Sequence, residues 1–437
     1  MRFIHSNQIP IKCRLISCIL IIAMEKRCLV VPGTFIPFNE TITQLVYKQL
    51  RLLPLKYDVC ALFDKADPKL QEYLLNDPNY VKFHVSYVMN DNDVRFSIHN
   101  INLFKGLHNM KKYINAAISM YDGHEYLYTS SFPCYSIRVG VELKKQNPQM
   151  KWIANFSDPI NHSPYKYDQE TYQSYSFPEK IAYKLYCKYY VVDQDEIDAF
   201  EKADLLVFIC EEQRDFMIQQ YLKYAGNISE ETILNKCIIV PLNYVPEWND
   251  MTPVKKEMKS DSYTLSHFGR VYGLRLIKEF IYGLQIFISE NPNVKLKIIQ
   301  YGVFRKSDRK LIHKLKLDSF FEIHEKVSYS RCIDKMRDSD WVLLFDTILP
   351  EKEIQPYLPS KLVEYSLLQK DVLAVTVNTS PTYRIMKKTD AIVCAYDRYA
   401  VAKGLKNMII DHMPSKVEYR YTNEDAVEIL KNRIEKL

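Results

Sequence analysis

The feature that most constrains this sequence is a regular alternation of short apolar runs with amphipathic segments from Lys26 onward. Short apolar runs predict buried parallel strands, and the segments between them predict helices with one apolar face. Alternation of this kind indicates right-handed βαβ units and parallel sheets. The sequence therefore predicts an α/β protein, and its 437 residues exceed what one hydrophobic core usually covers.

Two interruptions of this rhythm suggest how the chain is divided. Residues 160–178 are polar, tyrosine-rich and bracketed by prolines, which predicts a long loop. Residues 243–262 lack periodicity and contain a charged run, which predicts an interdomain linker. We therefore predict two doubly wound, Rossmann-like domains facing a cleft, at 24–242 and 263–422, and a C-terminal helix at 423–437. Seven strands are predicted in the first domain and six in the second, with one long helix over 179–203.

The positive charge of the chain is concentrated at its N-terminus. Residues 1–23 contain Arg2, Lys12 and Arg14 and no acidic residue, so they account for three of the six net positive charges. The remaining charge is too dispersed to predict a nucleic-acid partner. The apolar stretch within this segment is too short to span a bilayer, and Met24 is a second candidate start. We therefore predict that residues 1–23 are a non-structural or spurious extension.

The ten cysteines indicate the redox environment. They are scattered along the sequence, and no two have C-x-x-C spacing. Several lie in apolar runs, which predicts buried free thiols rather than disulfides or a metal site. This pattern fits a reducing compartment, so a cytoplasmic location is expected.

The segment from Pro356 to Val375 predicts a loop, a helix and a buried strand. Pro359 suits the first turn of the helix, and the Ser360 hydroxyl is predicted to cap free N–H groups at this helix end, which also attracts phosphate. Glu364 falls one turn later on the same face, where a carboxylate could hold a ribose diol. The alternative is an ordinary helix cap with a surface pair between Lys361 and Glu364.

A second stretch, His267 to Arg275, ends a predicted strand in glycine and carries two arginines. Gly269 would let the backbone approach a ligand closely, and Arg270 and Arg275 suit bidentate phosphate binding. The alternative is two solvated arginines beside an ordinary turn. Gly302 ends the next predicted strand. Neither G-x-G-x-x-G nor G-x-x-x-x-G-K-[ST] occurs, so the classical dinucleotide fingerprint and the P-loop are absent.

Together these stretches resemble the GT-B glycosyltransferases, in particular the large retaining family numbered four. That family has a strand followed by a glycine and two basic residues, a glycine after the next strand, a V-x-Y segment and a P-S-K-l-x-E-Y segment. The matching residues here are Gly269, Arg270, Arg275, Gly302, Val327 with Tyr329, and Pro359 to Tyr365. The match covers about 263–376. It is weaker in the N-terminal half, where PGTFIPFNET and WIANFSDP resemble the acceptor domain.

The resemblance implies a role for each matching residue. The diphosphate of a nucleotide sugar would be held by Arg270, Arg275, Ser360 and Lys361, with Gly269 and Gly302 in the adjoining loops. Glu364 would bind the ribose hydroxyls, and Val327 would lie beside the base. In the N-terminal domain, Gly33 would let the first loop approach the transferred sugar.

Two positions depart from the family pattern. Pro356 stands where many members have a glutamate that contacts the sugar, and Arg275 stands where lysine is common. Guanidinium groups and a helix end can stabilise a leaving diphosphate without a metal, so no metal or other cofactor is expected. Asp193 and Asp195 have the D-x-D spacing of a manganese site, but they fall on a predicted helix surface.

Asp158 is the predicted catalytic residue. It ends a buried strand before Pro159 and faces the predicted cleft, where it would orient the acceptor or accept a proton. The alternative is an aspartate that caps a turn. His267 is predicted to be a buried core histidine rather than a substrate contact.

The sequence therefore predicts an enzyme, a retaining glycosyltransferase that transfers a sugar from a nucleotide-sugar donor. The acceptor would be lipid-linked or a saccharide, in the assembly of a surface polysaccharide. A lipid-linked acceptor would bring peripheral contact with the inner membrane face. The alternatives are a sugar-nucleotide epimerase with the same fold and an inactive partner subunit.

Overall fold

The computed structural model describes residues 26–38, 41–94, 103–166, 168, 172–173, 175–248, 251–253, 262–350 and 352–437. The extension predicted at 1–23 lies outside the described residues, as does part of the linker predicted at 243–262.

The first domain is built on a parallel sheet of seven strands in the order β3-β2-β1-β4-β5-β6-β7. The sheet winds outward in both directions from β1 and β4, so a ligand crevice is expected beyond the ends of these two strands. The strands are β1 (Arg27–Thr34), β2 (Lys56–Phe63), β3 (Phe83–Asn90), β4 (Tyr126–Ser130), β5 (Lys151–Asn155), β6 (Leu205–Phe208) and β7 (Cys237–Ile239).

Helices cover both faces of this sheet, and each face has its own core. One core is centred on Trp152 and Phe200, and the other on Tyr47 and Tyr57. The helices are α1 (Thr41–Leu50), α2 (Pro68–Asn76), α3 (Asp91–Val94), α4 (Leu103–Ser119), α5 (Tyr135–Gln146), α6 (Phe177–Tyr189), α7 (Asp193–Lys202), α8 (Glu211–Tyr224) and α9 (Glu230–Leu234).

The long helix predicted over 179–203 is wrong, because the chain breaks it into α6 and α7. Tyr190 is buried between the two helices. The Asp193 carboxylate accepts hydrogen bonds from the Lys166 ammonium (2.8 Å) and the His162 backbone N–H (3.2 Å). The break therefore comes from contacts with the preceding loop, since no glycine or proline stands at this point in the sequence.

The second domain is built on a parallel sheet of six strands in the order β10-β9-β8-β11-β12-β13. The strands are β8 (Tyr263–Phe268), β9 (Leu296–Tyr301), β10 (Phe321–His324), β11 (Trp341–Phe345), β12 (Asp371–Thr376) and β13 (Val393–Ala395). Its helices are α10 (Lys278–Glu290), α11 (Lys306–Lys314), α12 (Tyr329–Asp338), α13 (Lys361–Leu367), α14 (Pro381–Lys387) and α15 (Arg398–Ile409). The two sheets confirm the predicted fold class.

The last helix, α16 (Asn423–Ile434), packs on the first domain rather than the second. Its apolar side chains Ala426, Val427, Leu430 and Ile434 are buried in the core that contains Tyr47 and Tyr57. The chain therefore crosses between the domains twice.

Two further observations concern the whole described chain. Among the described helices, none combines the length and apolar character needed to cross a bilayer. The eight cysteines in the described part of the chain are free thiols.

Candidate functional site

Two adjoining cavities lie between the domains. The larger, here called the central cavity, has a volume of about 720 Å³, and the smaller, the side cavity, about 510 Å³. Both are lined by Ser360 and Lys361 of the second domain and by Leu45 of α1, so they meet at the start of α13. Cavities of this size suit small-molecule ligands.

Two glycines at strand ends form part of the side-cavity wall. Gly269 follows β8 with φ +126°, and Gly302 follows β9 with φ +124°. A Cβ atom on Gly302 would lie 2.5 Å from the Gly269 carbonyl oxygen, and one on Gly269 would lie 2.9 Å from the Lys361 ammonium nitrogen. Both φ angles lie in the region that favours glycine, and at Gly302 a side chain would also collide with the backbone of the Gly269 loop.

Glu364 projects from α13 into the side cavity, which is also lined by Val327. One carboxylate oxygen, Oε1, accepts a hydrogen bond from the Tyr329 hydroxyl at 2.7 Å. The other, Oε2, is buried and has no hydrogen-bond partner among the described residues. A buried acceptor without a partner is costly, so this oxygen is suited to accept a hydrogen bond from a ligand hydroxyl.

Lys48 reaches the side cavity from α1 of the first domain. Its ammonium donates to the Asn243 carbonyl oxygen at 3.1 Å and lies 5.4 Å from the centre of the Trp248 ring. Burial lowers the pKa of this ammonium to about 8, and the nearby charge of Glu364 opposes the shift. The sequence reasoning missed Lys48, because nothing local to α1 indicates that it lines a cavity together with the second domain.

A concentration of positive charge lies where the two cavities meet. Burial, together with repulsion from the Arg275 guanidinium, lowers the pKa of the Lys361 ammonium to about 8. Arg275 lines the central cavity and donates from Nη1 to the Arg270 carbonyl oxygen at 3.1 Å. Its Nε is buried without a hydrogen-bond partner in the described part of the chain. An anion at this point would relieve the repulsion and satisfy the free donor.

Ser360 and Arg270 complete this junction. Ser360 has helical dihedral angles and its side chain makes no capping hydrogen bond, so the predicted serine cap is wrong. The helix begins at Lys361 rather than at Pro359, and the Ser360 residue lines both cavities. Arg270 lines the side cavity.

Asp158 lines the central cavity from the first domain and is the third residue after β5. The Ser131 hydroxyl at the end of β4 donates to the Asp158 carbonyl oxygen at 3.2 Å, which holds the turn. The residue is exposed to the cavity, and desolvation by the walls of the cleft raises the pKa of its carboxyl to about 7. The charge of Arg275, from the opposite domain, acts against this rise.

The loop predicted over 160–178 forms part of the central-cavity wall and contacts the second domain. The Tyr165 and Thr347 hydroxyl oxygens lie 2.9 Å apart, and those of Ser163 and Tyr357 lie 3.1 Å apart. These residues were not predicted, although the proline-bracketed, tyrosine-rich composition of the loop was a usable signal.

Gly33 is the predicted site residue that lines neither cavity. It lies at the end of β1 with φ +81°, and a Cβ atom there would lie 2.2 Å from Cδ of Pro133. The close packing on Pro133 and the positive φ therefore account for glycine at this position.

His267 is buried, as predicted, and supports the glycine loop. Its Nδ1 lies 2.8 Å from the Gln300 side-chain oxygen, and Gln300 donates to the Gly269 carbonyl oxygen at 2.7 Å. Burial lowers the pKa of His267 to about 3, so the ring is neutral.

The two aspartates with D-x-D spacing serve the fold. Asp193 pairs with Lys166, and Asp195 pairs with Arg138 at 2.7 Å. Within the described residues, no group of three or more His, Cys, Asp or Glu side chains is arranged to hold a metal ion.

Comparison with known proteins gives a result at the level of structure only. No protein-family model and no curated protein sequence matches this chain. Anabaena HepE, solved in complex with UDP and glucose, aligns over 94% of this chain and 100% of its own, with 13% identity and a TM-score of 0.59.

Two further solved structures are similar over comparable lengths. A sucrose-phosphate synthase from Thermosynechococcus elongatus covers 94% of each chain, with 12% identity and a TM-score of 0.55. A glycosyltransferase from Rickettsia africae covers 94% of this chain and 92% of its own, with 13% identity and a TM-score of 0.52. The chain therefore has the GT-B glycosyltransferase fold.

Proposed function

We propose that this chain is a glycosyltransferase that takes a nucleotide sugar as donor. One observation carries the proposal. A single pair of joined cavities contains the unpartnered Glu364 carboxylate oxygen and, at the junction, the mutually repelling charges of Lys361 and Arg275. A hydroxyl-bearing group attached to a diphosphate is the class of ligand that satisfies both.

The nucleotide-sugar donor would extend from the side cavity, through the junction, into the central cavity. The base would lie beside Val327 in the side cavity, and the ribose hydroxyls would donate to Glu364. The diphosphate would lie at the junction, where Arg270, Arg275 and Lys361 supply positive charge. The transferred sugar would then extend into the central cavity, toward Asp158.

The charges at the junction also suit the chemistry of transfer. In the reaction, the acceptor oxygen forms a bond to the anomeric carbon while the bond from that carbon to the diphosphate oxygen breaks. Arg275 and Lys361 would stabilise the negative charge that develops on the departing diphosphate. With retention of configuration, as the sequence resemblance implies, the acceptor proton passes to the departing phosphate.

Asp158 would orient the acceptor in the central cavity. Its pKa of about 7 leaves a mixture of carboxyl and carboxylate at neutral pH, so the group can accept a hydrogen bond or a proton. The same cavity is lined by Tyr175, Tyr183 and Tyr186. These rings fit a saccharide or a lipid-linked sugar as acceptor, and we propose surface-polysaccharide assembly as the process.

Nucleotide binding by calorimetry tests the donor site. The purified protein is titrated with UDP, GDP, dTDP and CMP, and Arg275→Ala and Glu364→Ala are compared with it. Each variant removes a charged hydrogen-bonding group, so the affinity for the bound nucleotide should fall roughly 10- to 100-fold. Arg309→Ala and Glu325→Ala change exposed residues outside the cavities and serve as matched controls.

Unchanged affinity in both site variants would remove the proposed donor site. Absence of binding to every nucleotide would instead favour an inactive partner subunit. Incubation with sugar nucleotides alone, followed by NMR spectroscopy, separates the remaining alternative, since conversion to an epimer without acceptor would overturn the transferase proposal. NMR of a transfer product would show directly whether the anomeric configuration is retained.

A further inference from the structure

Helix α6 differs from the other long helices of the first domain because none of its 13 residues is buried. Three of its large apolar side chains are exposed: Phe177 at 77%, Ile181 at 46% and Tyr189 at 37%. Helices of a globular domain normally bury their apolar stripe against the core. The apolar residues of α6 therefore stand on a surface that the rest of the described chain does not cover.

One exposed face of α6 combines two of these apolar residues, Phe177 and Ile181, with lysines. At about 100° per residue, Phe177, Ile181, Lys184 and Lys188 fall within an arc of about 60° on the helix. Lys180 lies beside this arc, so three lysines follow one another at four-residue spacing. We call Phe177, Lys180, Ile181, Lys184 and Lys188 the α6 face.

The single acidic residue of α6 does not reduce the charge of this face. Glu179 points to the opposite side and accepts hydrogen bonds of 2.7 Å from the backbone N–H and the hydroxyl of Ser176, which forms the N-terminal capping box. The α6 face therefore presents positive charge together with apolar side chains.

The opposite side of the same helix borders the candidate active site. Tyr183 and Tyr186 lie on that side and line the central cavity. The Tyr183 hydroxyl donates to the Lys166 carbonyl oxygen at 2.6 Å, which ties the helix to the cavity loop. One helix thus forms both a wall of the cavity and an uncovered outer surface.

We propose that the α6 face docks on the surface of an anionic lipid bilayer. Lysines interleaved with Phe and Ile fit this partner, because the ammonium groups contact lipid phosphates while their alkyl stems and the apolar side chains enter the interface. The role given to this docking rests on the proposed function. Docking would bring the tyrosine-lined wall of the central cavity close to the lipid head groups, where a lipid-linked acceptor lies.

Vesicle co-sedimentation of the purified full chain tests this surface. The protein should bind vesicles containing phosphatidylglycerol and show little binding to phosphatidylcholine alone. Replacing Lys180, Lys184 and Lys188 together by alanine should reduce partitioning onto anionic vesicles by roughly a hundredfold, since each lysine near such a surface contributes about fivefold. A second variant, Phe177→Ser with Ile181→Ser, should weaken binding without changing the net charge.

The chain offers a matched control on α11. Lys306, Lys310 and Lys314 are exposed and have the same four-residue spacing, so their triple alanine variant loses the same charge at another place. It should bind anionic vesicles like the unmodified protein. Equal losses in the two triple variants, or no binding by the unmodified protein, would overturn the proposal.

Two further measurements distinguish bilayer docking from dimerisation and from a defect in the donor site. If light scattering showed a dimer that the α6 variants dissociate, the α6 face would be covered by a second copy, and bilayer docking would be rejected. Nucleotide affinity measured by calorimetry should be the same in all α6 variants. A failure of nucleotide binding in the unmodified protein would reject the proposed function and leave the vesicle result as a separate measurement.

Discussion

Glu196 is a buried carboxyl group that holds the backbone beside Asp158. It is 1% exposed, and its Oε2 accepts hydrogen bonds from the N–H groups of Ile160 (2.7 Å) and Asn161 (3.0 Å). These two residues follow Asp158 and Pro159 in the sequence, and Ile160 lines the central cavity with them. Glu196 therefore acts as a positioning residue for this segment, through the backbone rather than through contact with a ligand.

Replacing Glu196 by alanine should lower the free energy of unfolding by about 1–3 kcal/mol, because two buried N–H groups lose their acceptor. Glutamine keeps one acceptor oxygen, so Glu196→Gln should lower the free energy of unfolding by less than Glu196→Ala. Urea titration measures both, with Glu142→Ala on the exposed surface of α5 as a control expected within about 0.5 kcal/mol of the unmodified protein. A loss in Glu196→Ala no larger than in the control would contradict this role.

The pH dependence of the same variants gives a second, independent readout. Burial raises the pKa of Glu196 to about 8, so the folded protein keeps a proton that the unfolded chain releases near pH 4.5. The resulting stability is fully present below about pH 4.5 and is lost as the pH rises through about 8. Glu196→Gln lacks this titration, so its stability relative to the unmodified protein should increase between about pH 5 and about pH 8. A constant difference would reject the raised pKa.

At the level of single residues, the sequence indicated as site residues those that follow the ends of strands within one domain. Gly269 and Gly302 each stand directly after a strand, Asp158 is the third residue after β5, and such positions meet at one edge of a parallel sheet. Lys48 and Tyr165 were not predictable in the same way. Tyr165 contacts the other domain, Lys48 lines the side cavity together with it, and no local pattern in the sequence encodes which surfaces the two domains bring together.

Among the elements, α16 depends most on contacts distant in sequence. Leu430 is fully buried against the first domain, while the adjacent Ile429 is 39% exposed. Leu430→Ala should lower the free energy of unfolding by about 2–5 kcal/mol, because it leaves a cavity in the core that contains Tyr47.

Denaturant unfolding followed by tryptophan fluorescence measures this effect, since Trp248 belongs to the same core. Ile429→Ala removes an aliphatic side chain from the neighbouring position and should change the stability by well under half as much. Similar losses in the two variants would mean that α16 is not docked as described.

The local sequence pattern was sufficient to predict the strands but not every helix boundary. The strands of both sheets were recognisable as apolar runs, because strands covered on both faces need continuous apolar sequence. The separation of α6 from α7 was missed, although β-branched Val191 and Val192 disfavour a helix and the acidic residues from Asp193 onward are typical of a first helical turn. The hydrogen bonds of Asp193 with the loop at 162–166 determine the break.

For the molecule as a whole, the two-domain architecture followed from the alternation of strands and helices, the length of the chain and the aperiodic segment at 243–262. The position of α16 could not be predicted on that basis. Its apolar face would fit either domain by composition, and the choice depends on the shape of the core that receives it.

The double crossing between the domains restricts how they can move. The outgoing segment near Tyr244 and the returning segment near Thr422 lie side by side as a parallel bridge, and the Tyr244 N–H donates to the Tyr421 carbonyl oxygen at 3.2 Å. Two chain segments joined at one place form a hinge with a fixed axis rather than a free tether. Opening and closing of the cavities can proceed by rotation about this axis, whereas sliding or twisting of one domain over the other would break the pairing of the two segments.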